Sequence, residues 1–365
     1  MELNKVIISG GGSGGHIFPA IAIANQIKKE FPEVDILFIG AEGKMEMIKV
    51  PEAGYKIEGL WISGLQRRLT VKNLLLPFKL INSLLKARKI IKKFQPDAVV
   101  GVGGYASAPT LKIASMMRIP TVVQEQNSYP GKTNKWLSKS VTKICVAYKN
   151  LDKFFPEEKI ILTGNPVRRK VVEIEGLKEK GLANFGLEKD KKTILFVGGS
   201  LGARTLNESI LKDLKLLQEN DIQAIWQCGS YQYDLMVEQT NIIDMKGVIL
   251  IQFIKEMELA YAAADMIVSR AGAIAISELC IIGKPTILVP SPNVAEDHQT
   301  KNAMALVKDD AAILVKDNEA REKLIPTILE VLKDEEKQKQ LTENIQKKAI
   351  VNADERIVQV IKDII

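Results

Sequence analysis

Short runs of β-branched and aliphatic residues recur along this chain, and between them apolar residues return every three or four positions. The short runs have the composition of buried strands, and the longer stretches have the period of amphipathic helices. In the first half the pattern predicts strands over Lys5–Ser9, Asp35–Gly40, Ala98–Gly101, Thr121–Gln124, Lys143–Ala147 and Ile160–Thr163. Helical spacing covers Ile17–Glu30, Asn82–Phe94 and Pro109–Met117. Nearly continuous apolar strands alternating with helices predict an α/β chain with a parallel sheet covered on both faces. After Gly164-Asn165-Pro166 and a charged stretch, the plan restarts with strands over Thr193–Val197, Gln223–Gln227, Val248–Gln252, Met266–Ser269 and Pro285–Val289. The repeat predicts two Rossmann-like, doubly wound domains with a cleft between them. Ile357–Ile365 is a largely apolar terminal helix that must dock on something.

In such sheets ligands gather where the strands end. The first strand runs into Gly10-Gly11-Gly12-Ser13-Gly14-Gly15-His16, five glycines and a serine before a helix. Glycines let backbone N–H groups turn toward an oxyanion, and the helix N-terminus adds partial positive charge. Three readings remain open on this loop alone: a phosphate cradle, the dinucleotide fingerprint Gly10/Gly12/Gly15, and a tight turn. The fingerprint wants an acidic residue at the end of the next strand, and Glu42 comes late for that. His16 is either a general base, kept neutral by the helix end, or a helix cap. Two further loops, Gly103-Gly104-Tyr105-Ala106-Ser107 and Glu125-Gln126-Asn127, are expected to converge with the first on one crevice.

The second half has its own glycine loop, Gly198-Gly199-Ser200-Leu201-Gly202-Ala203. Ser269 to Glu278 places a strand end, a glycine turn and a helix start together. Glu278 there can accept from two vicinal ribose hydroxyls or complement the helix dipole. Glu296-Asp297-His298-Gln299 adds polar side chains beyond the last strand.

Composition then bounds the chemistry. The chain has 365 residues, 46% hydrophobic and 26% charged, as ordinary globular proteins do. Its three cysteines sit in apolar segments without metal-ligand spacing and read as buried thiols of a reducing compartment. Two histidines, no His/Cys cluster and no Asp-x-Asp leave no metal site expected, and no cofactor. No Gly-x-Ser-x-Gly elbow and no Walker loop appear. No signal peptide precedes the first strand and no apolar run is long enough to span a bilayer, which suggests a cytoplasmic protein. The net charge of +7 is concentrated: Leu60 to Pro96 carries nine Lys/Arg and no acid. Aliphatic and basic residues together suit an anionic membrane surface; a solvated helix face is the alternative. Nucleic acid is not expected as a partner, because the segment offers bases little to stack on.

GGGSGGHIFPA, GVGGYASAP, QEQNSYPG, LTGNPVR, GGSLGAR, SRAGAIAISEL and EDHQTKNA, in this order and spacing, resemble the MurG family of bacterial UDP-N-acetylglucosamine transferases that complete lipid II. The family usually has threonine where this chain has Ser13, which keeps the hydroxyl. The resemblance implies a GT-B fold, with an acceptor- and membrane-binding domain over 1–165 and a UDP-GlcNAc-binding domain over 166–349. A C-terminal helix at about 350–365 would pack back on the first domain. It implies inverting transfer of GlcNAc to the C4 hydroxyl of undecaprenyl-diphosphate-linked MurNAc-pentapeptide, on the cytoplasmic face of the cell membrane. By the same resemblance Ser200 would bind the UDP phosphates, Ile254 would meet uracil through its backbone, and Arg168 would help fix the nucleotide. Glu278 would hold the ribose, with Ala273, Ile274, Ala275, Ile276 and Ser277 along the diphosphate. Gln299 and Asn127 would read GlcNAc hydroxyls. Ser13, Gly14 and Gly15 would border the reacting centre, with His16 as base and Glu125 as understudy. The first loop's guest becomes the acceptor's diphosphate. Arg67, Arg68, Lys72, Leu74, Leu75, Leu76, Phe78 and Lys79 would meet the anionic leaflet.

Overall fold

A computed structural model describes residues 3–64, 75–167 and 169–365, with the backbone alone at Arg169. Arg67, Arg68, Lys72, Leu74 and Arg168 lie outside the described residues. The chain divides into two compact units, one of Met1–Val167 with Val351–Ile365 and one of Arg168–Ile350.

The first unit holds strands β1 (Lys5–Ser9), β2 (Asp35–Ala41), β3 (Lys56–Leu60), β4 (Ala98–Gly101), β5 (Thr121–Glu125), β6 (Lys143–Val146) and β7 (Ile160–Leu162). They form one sheet in the order β3-β2-β1-β4-β5-β6-β7, and every pair is parallel. Alternation along β1 divides the core between the faces. Val6 and Ile8 pack with helices Gly14–Glu30 and Ala353–Ile364, through Ile23, Ile27, Ile357 and Ile361. Ile7 packs on the other face with Ala87, Ile91, Leu111 and Leu137. Those residues come from helices Leu76–Phe94, Ser107–Met116 and Lys132–Leu137.

The second unit repeats the arrangement with β8 (Lys192–Val197), β9 (Ile222–Gln227), β10 (Val248–Ile251), β11 (Met266–Ser269), β12 (Thr286–Leu288) and β13 (Ile313–Leu314), ordered β10-β9-β8-β11-β12-β13. Phe196, Trp226 and Val268 share a core with Leu206, Ile210, Leu324 and Ile328 from helices Arg204–Lys212 and Ala320–Lys333. Their neighbours Leu195, Ile225 and Ile267 are equally buried and point to the opposite face. In both sheets the order reverses beside the first strand, at β1/β4 and at β8/β11. Those reversals open a crevice at the strand ends, and both glycine loops leave from them.

Strands β3 and β13 were not among those expected from the sequence, and two helices start elsewhere than expected. The basic helix begins at Leu76 rather than Asn82, with Pro77 in its first turn, where its missing N–H costs nothing. Its apolar residues therefore split: Ala87, Ile90 and Ile91 are buried, whereas Phe78 is 67% exposed and Leu80, Ile81 and Leu85 are exposed beside it. Helix Gly14–Glu30 starts inside the glycine loop, with Ser13 as N-cap, so His16 sits in the first helical turn.

Candidate functional site

In the first unit, four loops are tied together behind the strand ends. Gly11 donates its N–H to the Gly103 carbonyl at 3.3 Å, and Ser107 Oγ donates to the carbonyls of Ser9 at 2.7 Å and Gly103 at 2.9 Å. Gln126 Nε2 donates to the Val102 carbonyl at 2.7 Å and to Gln124 Oε1. Asn165 Nδ2 donates to the Gln126 carbonyl at 3.0 Å, and its Oδ1 accepts from Gln124 Nε2 at 2.8 Å. Gln124, Gln126 and Asn165 are all buried, so each amide must find partners inside the protein. The three loops that the sequence singled out do converge, and Gly164-Asn165-Pro166 joins them. Contact is close enough to require glycine: a Cβ on Gly104 would lie 2.4 Å from the Gly11 carbonyl oxygen, at a φ of +85°.

The first loop is a smaller cradle than its composition suggests. Gly10 donates to the Ile39 carbonyl at 3.3 Å, Gly11 to Gly103, and Gly12 to Glu46 Oε2 at 2.8 Å. Glu46 is 1% exposed, and its Oε1 accepts from the Ala41 N–H at 3.0 Å. A buried carboxylate thus occupies the space behind Gly11 and Gly12. This corrects the expectation of an anion site along the whole loop, since only the Ser13–Gly15 end is left for a ligand. At that end the Ser13 carbonyl accepts from the N–H groups of His16 and Ile17, both at 3.1 Å. His16 Nδ1 lies 3.0 Å from the Gly11 carbonyl oxygen and 3.3 Å from Ser13 Oγ. A carbonyl can only accept, so in this contact Nδ1 is the donor and carries a proton.

Glu125 has a different task. It is buried, Oε1 accepts from the Asn127 N–H at 3.0 Å and Nδ2 at 3.1 Å, and Oε2 accepts from the Gly131 N–H at 3.0 Å and Asn134 Nδ2 at 2.8 Å. Four donors saturate the carboxylate, which fixes the 127–134 loop and leaves no lone pair for a substrate proton. The understudy role for Glu125 is withdrawn on that ground, while Asn127 is held in place by it.

In the second unit a cavity of about 530 Å³ sits at the β8/β11 reversal, lined among others by Gly199, Gly202, Gly272, Ala275 and Gln299. The glycine loop forms one wall and packs on the loop after β9. Gly202 has φ +88°, and a Cβ there would stand 2.1 Å from the Cys228 carbonyl oxygen. Facing it is the N-terminus of helix Ala273–Ile282, capped by Gly272, whose first amides have no intrahelical acceptor. Gln299 Oε1 accepts from the Ser291 N–H at 2.8 Å, which orients its amide in the cavity wall.

Three charged groups at this cavity, Arg204, Arg270 and Asp317, were not assigned a role by the sequence. Arg270 Nη1 donates to the carbonyls of Val289 at 3.0 Å and Pro290 at 3.3 Å, and to Asp317 Oδ1 at 2.5 Å. Asp317 Oδ2 accepts from Thr205 Oγ1 at 2.9 Å. Arg204, also in the wall, pairs with Glu208 at 2.7 Å, and with Arg321 it holds that carboxyl below the usual range.

The glycosyltransferase family 28 N-terminal domain matches residues 6–146 and the glycosyltransferase family 28 C-terminal domain residues 193–357. A protein of Parabacteroides distasonis named UDP-N-acetylglucosamine--N-acetylmuramyl-(pentapeptide) pyrophosphoryl-undecaprenol N-acetylglucosamine transferase is 53% identical over 100% of this chain and 99% of its own. The chain belongs to the MurG glycosyltransferases. A protein of the same name from Flavobacterium psychrophilum is 51% identical over 98% of this chain and 97% of its own. The crystal structure of Acinetobacter baumannii MurG superposes with a TM-score of 0.81 at 26% identity, covering 99% of each chain. The fold is the GT-B fold of MurG, with two parallel-sheet α/β units.

Among the residues carried over from the MurG motifs, Ala275 and Gln299 line the cavity, and Ala273 and Ile274 sit in the helix turn beside Gly272. Ser200 is exposed on the glycine loop, its carbonyl accepting from the Ser230 N–H at 3.1 Å. Ile276 and Ser277 turn away: Ile276 is in the core with its N–H on the Gly272 carbonyl, and Ser277 Oγ donates to the Ala273 carbonyl at 3.1 Å. From this turn Gly272 and Ala275 line the cavity. Glu278 is buried one turn further on, where the Tyr261 hydroxyl donates to it at 3.2 Å. Ile254 is buried in the loop after β10, consistent with use of its backbone alone.

Proposed function

We infer that this chain transfers N-acetylglucosamine from UDP-N-acetylglucosamine to lipid I, the undecaprenyl-diphosphate-linked MurNAc-pentapeptide, and so makes lipid II for peptidoglycan. The observation that carries the donor half is the cavity where a glycine loop, a helix N-terminus without a side-chain cap and a fixed glutamine amide meet. N–H groups and a helix dipole stabilise the negative charge that develops on a leaving diphosphate. Ser200 and the Gly272–Ala275 turn take the UDP phosphates in this reading, and Arg168 helps fix the nucleotide. Glu278 and the Ile254 backbone take ribose and uracil, and Gln299 and Asn127 the sugar.

For the acceptor half, His16 supplies the base. The acceptor's O4 attacks the anomeric carbon, its proton passes to Nε2, and the bond from that carbon to the β-phosphate oxygen breaks with its electron pair going to UDP. The contact between Nδ1 and the Gly11 carbonyl orients the ring for this, and Ser13, Gly14 and Gly15 border the reacting atoms. Attack from the face opposite the leaving group inverts the anomeric centre.

No helix among the described residues is long and apolar enough to cross a membrane. Helix Leu76–Phe94 instead offers exposed Phe78, Ile81 and Leu85. The Lys79 ammonium lies 5.4 Å from the Trp61 ring centroid and donates to Ser63 Oγ. Leu75 and Leu76 sit at the start of this helix. Apolar side chains among lysines support peripheral attachment to an anionic cytoplasmic leaflet. The deciding experiment is transfer of labelled GlcNAc from UDP-GlcNAc to a short-chain lipid I analogue by the full chain. Product is expected, and none from the folded wild-type protein would refute the assignment.

A further inference from the structure

The cavity at the β8/β11 reversal contains a carboxylate, although the reading above gives it a dianionic diphosphate to hold. Asp317 stands in the wall, with one oxygen on Arg270 and the other on Thr205. The pair is largely sequestered, with side-chain exposures of 13% for Arg270 and 17% for Asp317. Arg270 also donates to two backbone carbonyls, so its guanidinium is turned toward β12 and Asp317. Arg204, the other cation in the wall, is matched by Glu208. The Arg270 guanidinium is therefore already neutralised by Asp317, whereas Arg204 shares its carboxylate, Glu208, with Arg321. Beside Arg270, the N–H groups of the glycine loop and the helix end offer phosphate partial charges.

Resting on the donor assignment, we propose that Asp317 is a positioning and charge-setting residue of the donor site, acting through Arg270. It holds the guanidinium against β12 and cancels its charge, so that UDP is gripped by dipoles and leaves after each transfer. A structural tie alone would have the opposite consequence. If Asp317 merely braced the cavity wall, weakening the brace would loosen the ligand.

The sign of one measurement separates the two. Asp317→Asn keeps the shape and can keep an oxygen on Arg270, but removes the negative charge. UDP binding to the full chain, measured calorimetrically at low salt, should tighten about three- to tenfold, and the gap should shrink as salt screens the cavity. Uridine, which has no phosphate, should bind wild type and variant equally. Asp317→Ser, which removes the charge with a smaller side chain, should shift UDP in the same direction. In turnover the donor KM and the UDP inhibition constant should both fall, with kcat reduced as release slows. Weaker UDP binding by both variants, or equal tightening of uridine and UDP, would overturn the proposal and leave the donor assignment standing. Failure of the wild-type protein to bind UDP would instead remove the assignment on which it rests.

Discussion

Replacing Glu46 by glutamine tests how the first glycine loop is built. The carboxylate offers two acceptors to two backbone amides, Gly12 at 2.8 Å and Ala41 at 3.0 Å, from a buried position. Glutamine keeps one oxygen and turns an NH2 toward the other amide, leaving a buried donor facing a donor. Such a loss costs about 1–3 kcal/mol. For a unit of about 180 residues, ~2 kcal/mol lowers the unfolding midpoint by roughly 4–8 °C. The same change releases Gly12, and with it the loop that carries Ser13 and His16. A displacement of about 1 Å at a reacting group can cost ~100-fold in rate. Circular dichroism melting, calorimetric UDP binding and GlcNAc transfer should be run on one preparation of Glu46→Gln. The expected result is a lowered first-unit transition, transfer reduced at least about tenfold, and unchanged UDP affinity, because the donor cavity belongs to the other unit. A variant with the wild-type midpoint and the wild-type rate would show that the carboxylate supports neither the loop nor the reaction.

Other consequences follow from the same geometry. His16→Ala should bind UDP normally yet lose transfer by about 100-fold or more; full activity would remove His16 as the base. Gly202→Ala forces a Cβ to within 2.1 Å of a backbone oxygen, so loss of UDP binding together with a destabilised second unit is expected. Retention of both would show that the loop shifts freely. Charge reversal at Arg67, Arg68, Lys72 and Lys79, or Phe78→Ser with Leu85→Ser, should abolish co-sedimentation with anionic vesicles, and unchanged binding would refute the membrane surface. Burial pushes the Cys145 and Cys280 thiols up to about 12 and Cys228 up to about 11. A raised thiol pKa means almost no thiolate below those values, so at about pH 8 iodoacetamide should label the cysteines only after denaturation. Rapid labelling of the native protein would contradict this.

The alternation of apolar strands and helices was sufficient to recover both sheets, because parallel strands buried on two faces read as unbroken aliphatic runs. It failed where that condition lapses. β3 is the edge strand KIEGL, half exposed, with two charges and a glycine, and β13 is only two residues long. The start of helix Leu76–Phe94 was obscured because Leu74-Leu75-Leu76-Pro77 has no helical period of its own. Glycine loops and their neighbours were legible as motifs, since their chemistry is local. Glu46 was not, because its partner Gly12 lies 34 residues away and no spacing reports the contact. Asp317 was hidden for the same reason, meeting Thr205 across 112 residues. Ile276 and Ser277 show the converse, since proximity in sequence to a glycine turn does not decide which side of a helix a side chain takes.

The two strand-order reversals, one per unit, give this chain two crevices of the same design, and the carboxylate behind Gly12 makes them unequal. A molecule that imitates a nucleoside diphosphate meets a glycine loop and a helix N-terminus at β8/β11, but at β1/β4 it meets a loop whose first three N–H groups are spoken for. Compounds selected for phosphate mimicry should consequently compete with the donor alone, whichever crevice they were designed against. A compound directed at the other crevice needs different chemistry: a neutral hydroxyl donor for His16 rather than an anion.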